Sequence, residues 1–432
     1  MSVLNSAFIA HLKKIPYIDA EALIKAHETE PVVSVRQNKH KPKKNWPTSA
    51  PVAWCPEGAY LPSRPHFAHD PCWHAGVYYV QEASSMYLAK AFKNLNLDDS
   101  PIRVLDLCAA PGGKTTLLLD QLNAESLLVS NEIIKNRLNI LVENATKWGR
   151  SNHILASAEA RQWGKLQHAF DVIVVDAPCS GSGLFRKDAA AIEEWSEEQV
   201  LVCADRQEQI LREVWPALKP GGYLIYSTCS YSVEENEGML ARLSQDESLS
   251  FEITEKPQRF SPDMIAGEGF FITTIQKEGV RQAAHPILHK AKLQLPRELQ
   301  SYVIESSLQS HTPFEHKDRW HLFPTSHYFF LQEVKNLVYI AQAGVEIGFV
   351  DKKGGHPSAA LAWNDVLAEG LPAIQVDESQ ALKYLKREEG WWPQSLEKGY
   401  YLVKYENWIL GWIKAVQGRI INAYPMDWRL RK

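Results

Sequence analysis

Two cysteines sit where strand ends would present them. Cys179 lies in Asp176-Ala-Pro-Cys179-Ser, after the apolar run Val172–Val175, and Cys229 lies in Ser227-Thr-Cys229-Ser, after Tyr223–Tyr226. As thiolates they would be strong nucleophiles, provided the surroundings allow ionisation. A third stretch, Val104-Leu-Asp-Leu-Cys-Ala-Ala-Pro-Gly-Gly-Lys-Thr-Thr116, reads as a strand ending in an acid, a Pro-Gly-Gly turn and a helix start. Such a junction leaves backbone N–H groups without intrahelical partners, a cradle for a ligand. A phosphate-binding P-loop would need glycine at position 108, which is Cys108, and the G-x-G-x-x-G dinucleotide fingerprint is absent. A pocket of the S-adenosylmethionine type needs backbone donors for a carboxylate and an acid at the end of the next strand for two ribose hydroxyls. Glu132, closing Leu127-Leu-Val-Ser-Asn-Glu132, is placed for that. The bland alternative is a structural glycine turn followed by a chance acid.

The chemistry that needs a methyl donor, two thiols and an acid together is methylation at carbon 5 of a pyrimidine. That carbon is a poor nucleophile. A thiolate adds to carbon 6, the resulting enamine attacks the methyl group, a base removes the carbon 5 proton, and the thiol is eliminated. An acid near ring nitrogen 3 would stabilise the charge that builds up during addition, and Asp176 is the candidate. Either thiol fits the nucleophile's part on these grounds alone.

These residues must be positioned by the elements around them. Candidate strands run over 102–107, 126–131, 153–157, 171–176, 222–227 and 270–275, with helical patterns at 115–122, 134–148, 197–218 and 233–243. This alternation predicts an α/β fold with a mostly parallel sheet between helices, whose ligands lie at the carboxyl ends of the strands. Both thiol loops would then open on the edge that carries the glycine turn. Upstream, 6–15 suits an amphipathic helix, 47–71 is expected to be irregular, and 76–93 passes from a short strand into a helix. The run Arg36-Gln-Asn-Lys-His-Lys-Pro-Lys-Lys44 has five Lys/Arg and no acid, fitting a solvated loop or a phosphate-contacting one. Downstream, short apolar runs such as Tyr400–Val403 and Trp408–Ile413 suggest small β elements. Residues 404 to 432 carry six Lys/Arg against Glu406 and Asp427, a basic and aromatic composition that suits RNA as well as a small packed core.

The 432 residues are too many for one core and point to two to four domains. A net charge of −4 denies the whole molecule an attraction for polyanions, so a nucleic-acid surface must be a local patch. No apolar run spans a bilayer and no secretory leader is evident, which predicts a cytoplasmic protein without membrane contact. Six cysteines without a CxxC pair support neither a metal site nor a disulfide framework.

With Cys108-Ala-Ala-Pro-Gly-Gly-Lys114, Asp176-Ala-Pro-Cys-Ser-Gly-Ser-Gly183 and Tyr226-Ser-Thr-Cys-Ser230, the sequence resembles the NOL/NOP/Sun family of RNA cytosine-5 methyltransferases, supported by Gln81-Glu-Ala-Ser-Ser85 and Gly267-Glu-Gly-Phe-Phe271. Leu410-Gly-Trp-Ile-Lys-Ala-Val-Gln-Gly-Arg419, with Tyr424-Pro and Trp428-Arg429, is similar to the PUA-like module of the bacterial RsmF group. The resemblance implies a class I, Rossmann-like methyltransferase domain at 96–280, an N-terminal α+β domain at 1–95 that leads in and binds RNA, a connecting α+β segment at 281–340 and a PUA-like RNA-binding module at 341–432. It implies S-adenosylmethionine as cofactor and small-subunit (16S) ribosomal RNA, or the subunit itself, as partner, to a monomeric enzyme without metal. Transfer RNA as substrate, or a non-catalytic ribosome-assembly factor, are the alternatives. It assigns Cys229 as nucleophile, Cys179 to product release and Asp176 to the methyl-transfer centre. Cys108, Ala109, Ala110, Pro111, Gly112, Gly113 and Lys114 would hold the cofactor, Glu132 its ribose, and Glu159 its adenine in place of the family's usual aspartate.

Overall fold

The computed structural model describes residues 4–46, 49–97, 100–281, 293–392, 396–417 and 419–431. Of the stretches singled out above, Pro47, Gly418 and Lys432 lie outside them.

The site is carried by an eight-stranded sheet. Its strands are β1 (Arg103–Asp106), β2 (Leu127–Asn131), β3 (His153–Ser157), β4 (Phe170–Asp176), β5 (Leu218–Thr228), β6 (Phe251–Phe260), β7 (Phe270–Lys277) and β8 (Tyr339–Ala343), in the order β6-β7-β5-β4-β1-β2-β3-β8. The five strands from β5 to β3 are parallel, while β6, β7 and β8 run antiparallel at the two margins. Successive strand residues point to opposite faces, and both faces are covered. Leu105, Val129, Ile173 and Val175 enter one core, and their neighbours Val104, Leu128, Val172 and Val174 enter the other. Helices on both sides explain why these strands read as unbroken apolar runs rather than as alternating ones.

Helix α1 (Gly113–Gln121) starts in the glycine turn, α2 (Lys135–Trp148) follows β2, and α3 (Glu197–Val214) precedes β5. The helical pattern expected to reach residue 218 stops at Val214, because Pro216 lacks the N–H that a helix interior needs and Leu218 already opens β5. Strand β6 was not expected from the sequence: its Phe-Glu-Ile-Thr-Glu-Lys-Pro-Gln-Arg-Phe is largely solvated, as suits an edge strand guarded by charges and a proline.

The N-terminal segment builds a four-stranded sheet from Val33–Gln37, Ala50–Val52, Cys55–Leu61 and Tyr78–Val80, so part of the stretch expected to be irregular, extended chain is paired into strands. The basic run is a loop only from residue 38, with Lys39 and Lys43 exposed as expected, while its other charges turn inward. Arg36 is buried and its Nη1 lies 2.6 Å from Asp120 Oδ2. Lys41 donates to the carbonyls of Ala75 and Lys147, and Lys44 lies 2.8 Å from Asp70. Arg36 and Lys41 thus hold the N-terminal domain to α1 and to the end of α2, whereas Lys44 pairs within the N-terminal domain.

The expected boundary at 340/341 falls inside β8, which pairs with β3. The segment after it is divided: Val345–Asp351 and Gly354–Pro357 join His311–His316 and Arg319–Pro324 in one sheet, and a second sheet holds Ala373–Val376, Gly399–Tyr405, Trp408–Val416 and Arg419–Asn422. That last sheet and its helix Glu378–Lys386 share a single core with the N-terminal domain: Val35, Leu61, Phe67 and Val77 pack in one cluster with Ile374, Tyr384, Val403, Leu410 and Tyr424. Among the described residues no helix is long and apolar enough to cross a membrane.

Candidate active site

The strand order reverses between β1 and β4, and the crevice at their carboxyl ends is where ligands of such sheets bind. Gly112 precedes α1 with φ +115°, a conformation that L side chains rarely adopt, and an added Cβ would stand 3.3 Å from Leu141. The turn is anchored from behind. Ala109 N–H donates to Asn131 O at 2.9 Å, Arg137 donates to Ala110 O at 2.7 Å, and Asn144 donates to Pro111 O at 2.8 Å. Buried Arg36 reaches up from the N-terminal sheet to Thr116 Oγ1 at 2.6 Å and to Gly113 O, with Gln81 accepting from its Nε at 2.8 Å. The Gln81 of the Gln-Glu-Ala-Ser-Ser stretch thus acts on the glycine turn from another domain.

Three carboxylates converge on the turn. Asp106, fully buried at the end of β1, accepts from Thr115 Oγ1 at 2.6 Å through one oxygen, while its other oxygen has no partner. Burial pushes its pKa up to about 7, with Asp176 and Glu132 adding to the rise. Glu132 is buried at the end of β2, accepts from Ile134 N–H at 2.9 Å and lies 3.3 Å from Arg137. Burial and the same three acids push the Cys108 thiol up, so Cys108 is a neutral lining group. Lys114 Nζ is 2.7 Å from Asp176 Oδ2 and 5.0 Å from the centre of the Phe270 ring, and Ser227 Oγ donates to Asp176 at 2.8 Å. Glu159 stands apart from this group: its side chain is exposed and paired with Arg161 at 2.6 Å.

The thiols meet. Cys179 Sγ and Cys229 Sγ are 2.9 Å apart, and Cys229 N–H donates to Cys179 Sγ at 3.3 Å. Close backbone packing brings the two loops together, since Gly183 N–H donates to Cys229 O at 2.8 Å and a Cβ at Gly183 would lie 2.6 Å from Gly269 O. The contact with Cys229, burial and the nearby Glu235 hold the Cys179 thiol protonated, well above its ordinary range.

Three family models match parts of the chain: one described as 16S rRNA methyltransferase RsmB/F over residues 93–276, the N-terminal domain of 16S rRNA methyltransferase RsmF over 4–83, and the methyltransferase RsmF PUA domain over 371–430. The ribosomal RNA small subunit methyltransferase F of Shewanella loihica is 32% identical over 412 residues, covering 87% of this chain and 83% of its own. The chain belongs to the ribosomal RNA small subunit methyltransferase F family. The homonymous protein of Vibrio parahaemolyticus is 31% identical over 90% of this chain and 87% of its own. Among solved structures, a methyltransferase homologue from Pyrococcus horikoshii is 28% identical with TM-score 0.53, over 63% of this chain and 100% of its own. NSun6 from the same organism, solved with the S-adenosylmethionine analogue SFG, is 20% identical with TM-score 0.55 over 65% and 100%, and it speaks for the fold alone.

A member of the methyltransferase F family uses S-adenosylmethionine, and the chain's own residues fit it. That cofactor is cationic at its sulfonium and ammonium groups, and the cleft offers Asp106, Glu132 and Asp176 against Lys114, with one oxygen of Asp106 unpartnered. The α1 N–H groups at the glycine turn suit its carboxylate. Two residues at this site carried no usable sequence signal. Gln207 lies far from every motif and Glu235, five residues past Ser230, belongs to none, and only the folded chain brings them against the thiol loops.

Proposed function

We propose that this methyltransferase F family chain transfers a methyl group to carbon 5 of a cytosine in 16S ribosomal RNA, through a covalent bond between Cys229 and carbon 6 of the ring. The observation that carries the reading is the meeting of two thiols with the Lys114–Asp176 pair at the sheet's switch point. A single thiol would serve addition alone; the second gives the site a group that can act on release.

In this reading Cys229 attacks carbon 6, and Cys179, 2.9 Å away, is placed to take part in freeing the product. Lys114 is the cation beside Asp176, so it is the better donor to the ring edge on which addition places negative charge, while Asp176 orients Lys114 and accepts from the cytosine amino group. S-adenosylmethionine supplies the electrophilic methyl group. Residues 108–114 hold it, with Glu132 at the ribose; Glu159, turned to Arg161, would reach the adenine only by leaving that partner. RNA is held by the N-terminal and C-terminal modules, the latter offering a cleft of about 800 Å³ lined by Lys386, Arg387, Arg419 and Arg429. A ribosomal substrate places the work in the cytoplasm.

The test uses 16S ribosomal RNA or the small subunit with labelled cofactor. Cys229→Ala is expected to abolish methyl transfer and keep cofactor binding, and Cys179→Ser to accumulate a protein–RNA adduct that shifts on nuclease digestion. Turnover by Cys229→Ala would move the nucleophile to Cys179. Incorporation into transfer RNA only would change the substrate.

A further inference from the structure

Behind the two thiols lies a carboxylate that the reaction above does not use. Glu235 has no solvent exposure and follows Cys229 by six residues. It accepts from Ser180 N–H at 2.8 Å and from Ser180 Oγ at 2.6 Å on the loop of Cys179. Ser230 Oγ, beside Cys229, donates to its other face, and Gln207 Nε2 of α3 donates to it at 3.1 Å. Gln207 Nε2 also donates to Pro178 O at 2.9 Å, and Tyr226 OH donates both to Gln207 Oε1 at 2.9 Å and to Glu235 O at 2.6 Å. Every group around the Glu235 side chain is a donor, which is the coordination of an ionised carboxylate rather than of an acid. Burial raises its pKa, and these donors pull it back.

We propose that Glu235 is the positioning residue of the thiol pair, clamping the loops of Cys179 and Cys229 onto each other. Its negative charge adds to the contact with Cys229 and to the burial that hold Cys179 a thiol in the RNA-free enzyme. The clamp joins the residue after each cysteine to one buried carboxylate, so neither loop moves without breaking a hydrogen bond to a charged group. A thiol held neutral keeps a proton to donate at the right step and is spared premature oxidation, since the thiolate is the reactive form. The groups that act on Cys179 are Cys229 and Glu235 on the facing segment and Tyr226 on β5, while Cys203 on α3 faces Glu235 and Cys229. Glu235 accepts from the residue after each cysteine, Ser180 and Ser230. The proposal rests on the assignment of the two thiols as the reacting pair.

The test is Glu235→Gln in the full chain, with three readouts: binding of S-adenosylhomocysteine, methyl transfer to 16S ribosomal RNA, and the pH dependence of Cys179 alkylation by iodoacetamide, followed by peptide mass spectrometry. Glutamine matches the size but sets an NH₂ among donors. Expected are unchanged cofactor affinity, a kcat lower by about 100-fold from misplaced thiols, and a Cys179 alkylation profile moved about one pH unit lower once the carboxylate's charge is gone. An unmoved profile overturns the charge role, and an unmoved kcat overturns the clamp. Should Glu235→Gln fail to fold, Ser180→Ala and Ser230→Ala decide: each is expected to lower kcat about 10-fold, the pair to lose less than the product of the two, and independent losses overturn the clamp. The alkylation profile needs no RNA, so it tests the charge role of Glu235 even if the chain modifies another base, whereas Cys229→Ala tests the reaction without removing the bonds to Glu235.

Discussion

Asp106 ends the strand that feeds the glycine turn, and its pKa near 7 is the property of a carboxylate waiting for a cation. Its folded value is raised above the unfolded 3.8, so the ligand-free protein holds this proton more tightly than the unfolded chain does, and stability falls as pH rises from about 4 through about 7. A cationic cofactor favours the ionised form. Affinity for S-adenosylmethionine is therefore expected to strengthen as pH rises through about 7 and to level off above it, with proton release visible when titration calorimetry is repeated in buffers of different ionisation enthalpy. Asp106→Asn should remove that pH dependence. Lys114 separates binding from chemistry in a different way: Lys114→Met keeps a long flexible side chain and removes the ammonium that lies over Phe270 and beside Asp176. A loss of about 100-fold in kcat, with RNA affinity changed little, is the expected result in single-turnover assays. Cys108, Cys179, Cys229 and Glu132 could be picked from the sequence because chemistry restricts which residue types serve. Glu235 could not, since a buried carboxylate has no pattern of its own until its donors are assembled.

At the scale of elements, α1 depends on a domain it does not belong to. The Arg36 guanidinium is enclosed between Asp120, Thr116, Gly113 O and Gln81, and it stacks 4.7 Å from the Trp148 ring. Arg36→Met removes one partner of a buried pair and leaves Asp120 in the interior, which should destabilise the fold by about 3–5 kcal/mol. Denaturant titration measures this, and a cofactor affinity weakened in the same variant would show that the staple also shapes the glycine turn. A run of five basic residues in nine positions looks like a phosphate-binding or solvated loop because composition records charge and not the partners it finds. The central strands were legible for the opposite reason: with helices on both faces, burial is written directly into unbroken apolar runs, whereas edge strand β6, half in water, shows no such record.

The whole molecule closes on itself. The last sheet shares its core with the N-terminal domain, Trp408 Nε1 donates to Pro42 O at 2.8 Å, and β8 is donated to the catalytic sheet from beyond residue 338. Truncation at residue 341 would cut through β8, and truncation at 371 would bare the apolar face of the N-terminal sheet, so loss of RNA binding in either would be entangled with unfolding. Charge reversal in the basic cleft avoids this. Arg419→Glu and Arg429→Glu are expected to weaken binding of 16S ribosomal RNA and to lower the slope of log affinity against log salt by about one for each phosphate that is no longer neutralised, with cofactor affinity unchanged.

By itself the sequence determined the α/β alternation, the glycine turn, the second-strand acid and the two thiols, because these depend on local backbone geometry and on which side chains can perform a given reaction. The tertiary structure alone decided that the thiols touch, that Glu235 and Gln207 hold them there, that Lys114 pairs with Asp176, and that the basic run is an internal staple. Those facts join residues up to 106 positions apart in the chain, and distance along a chain carries no information about burial or about the partner a charge will meet until the sheet order has been set.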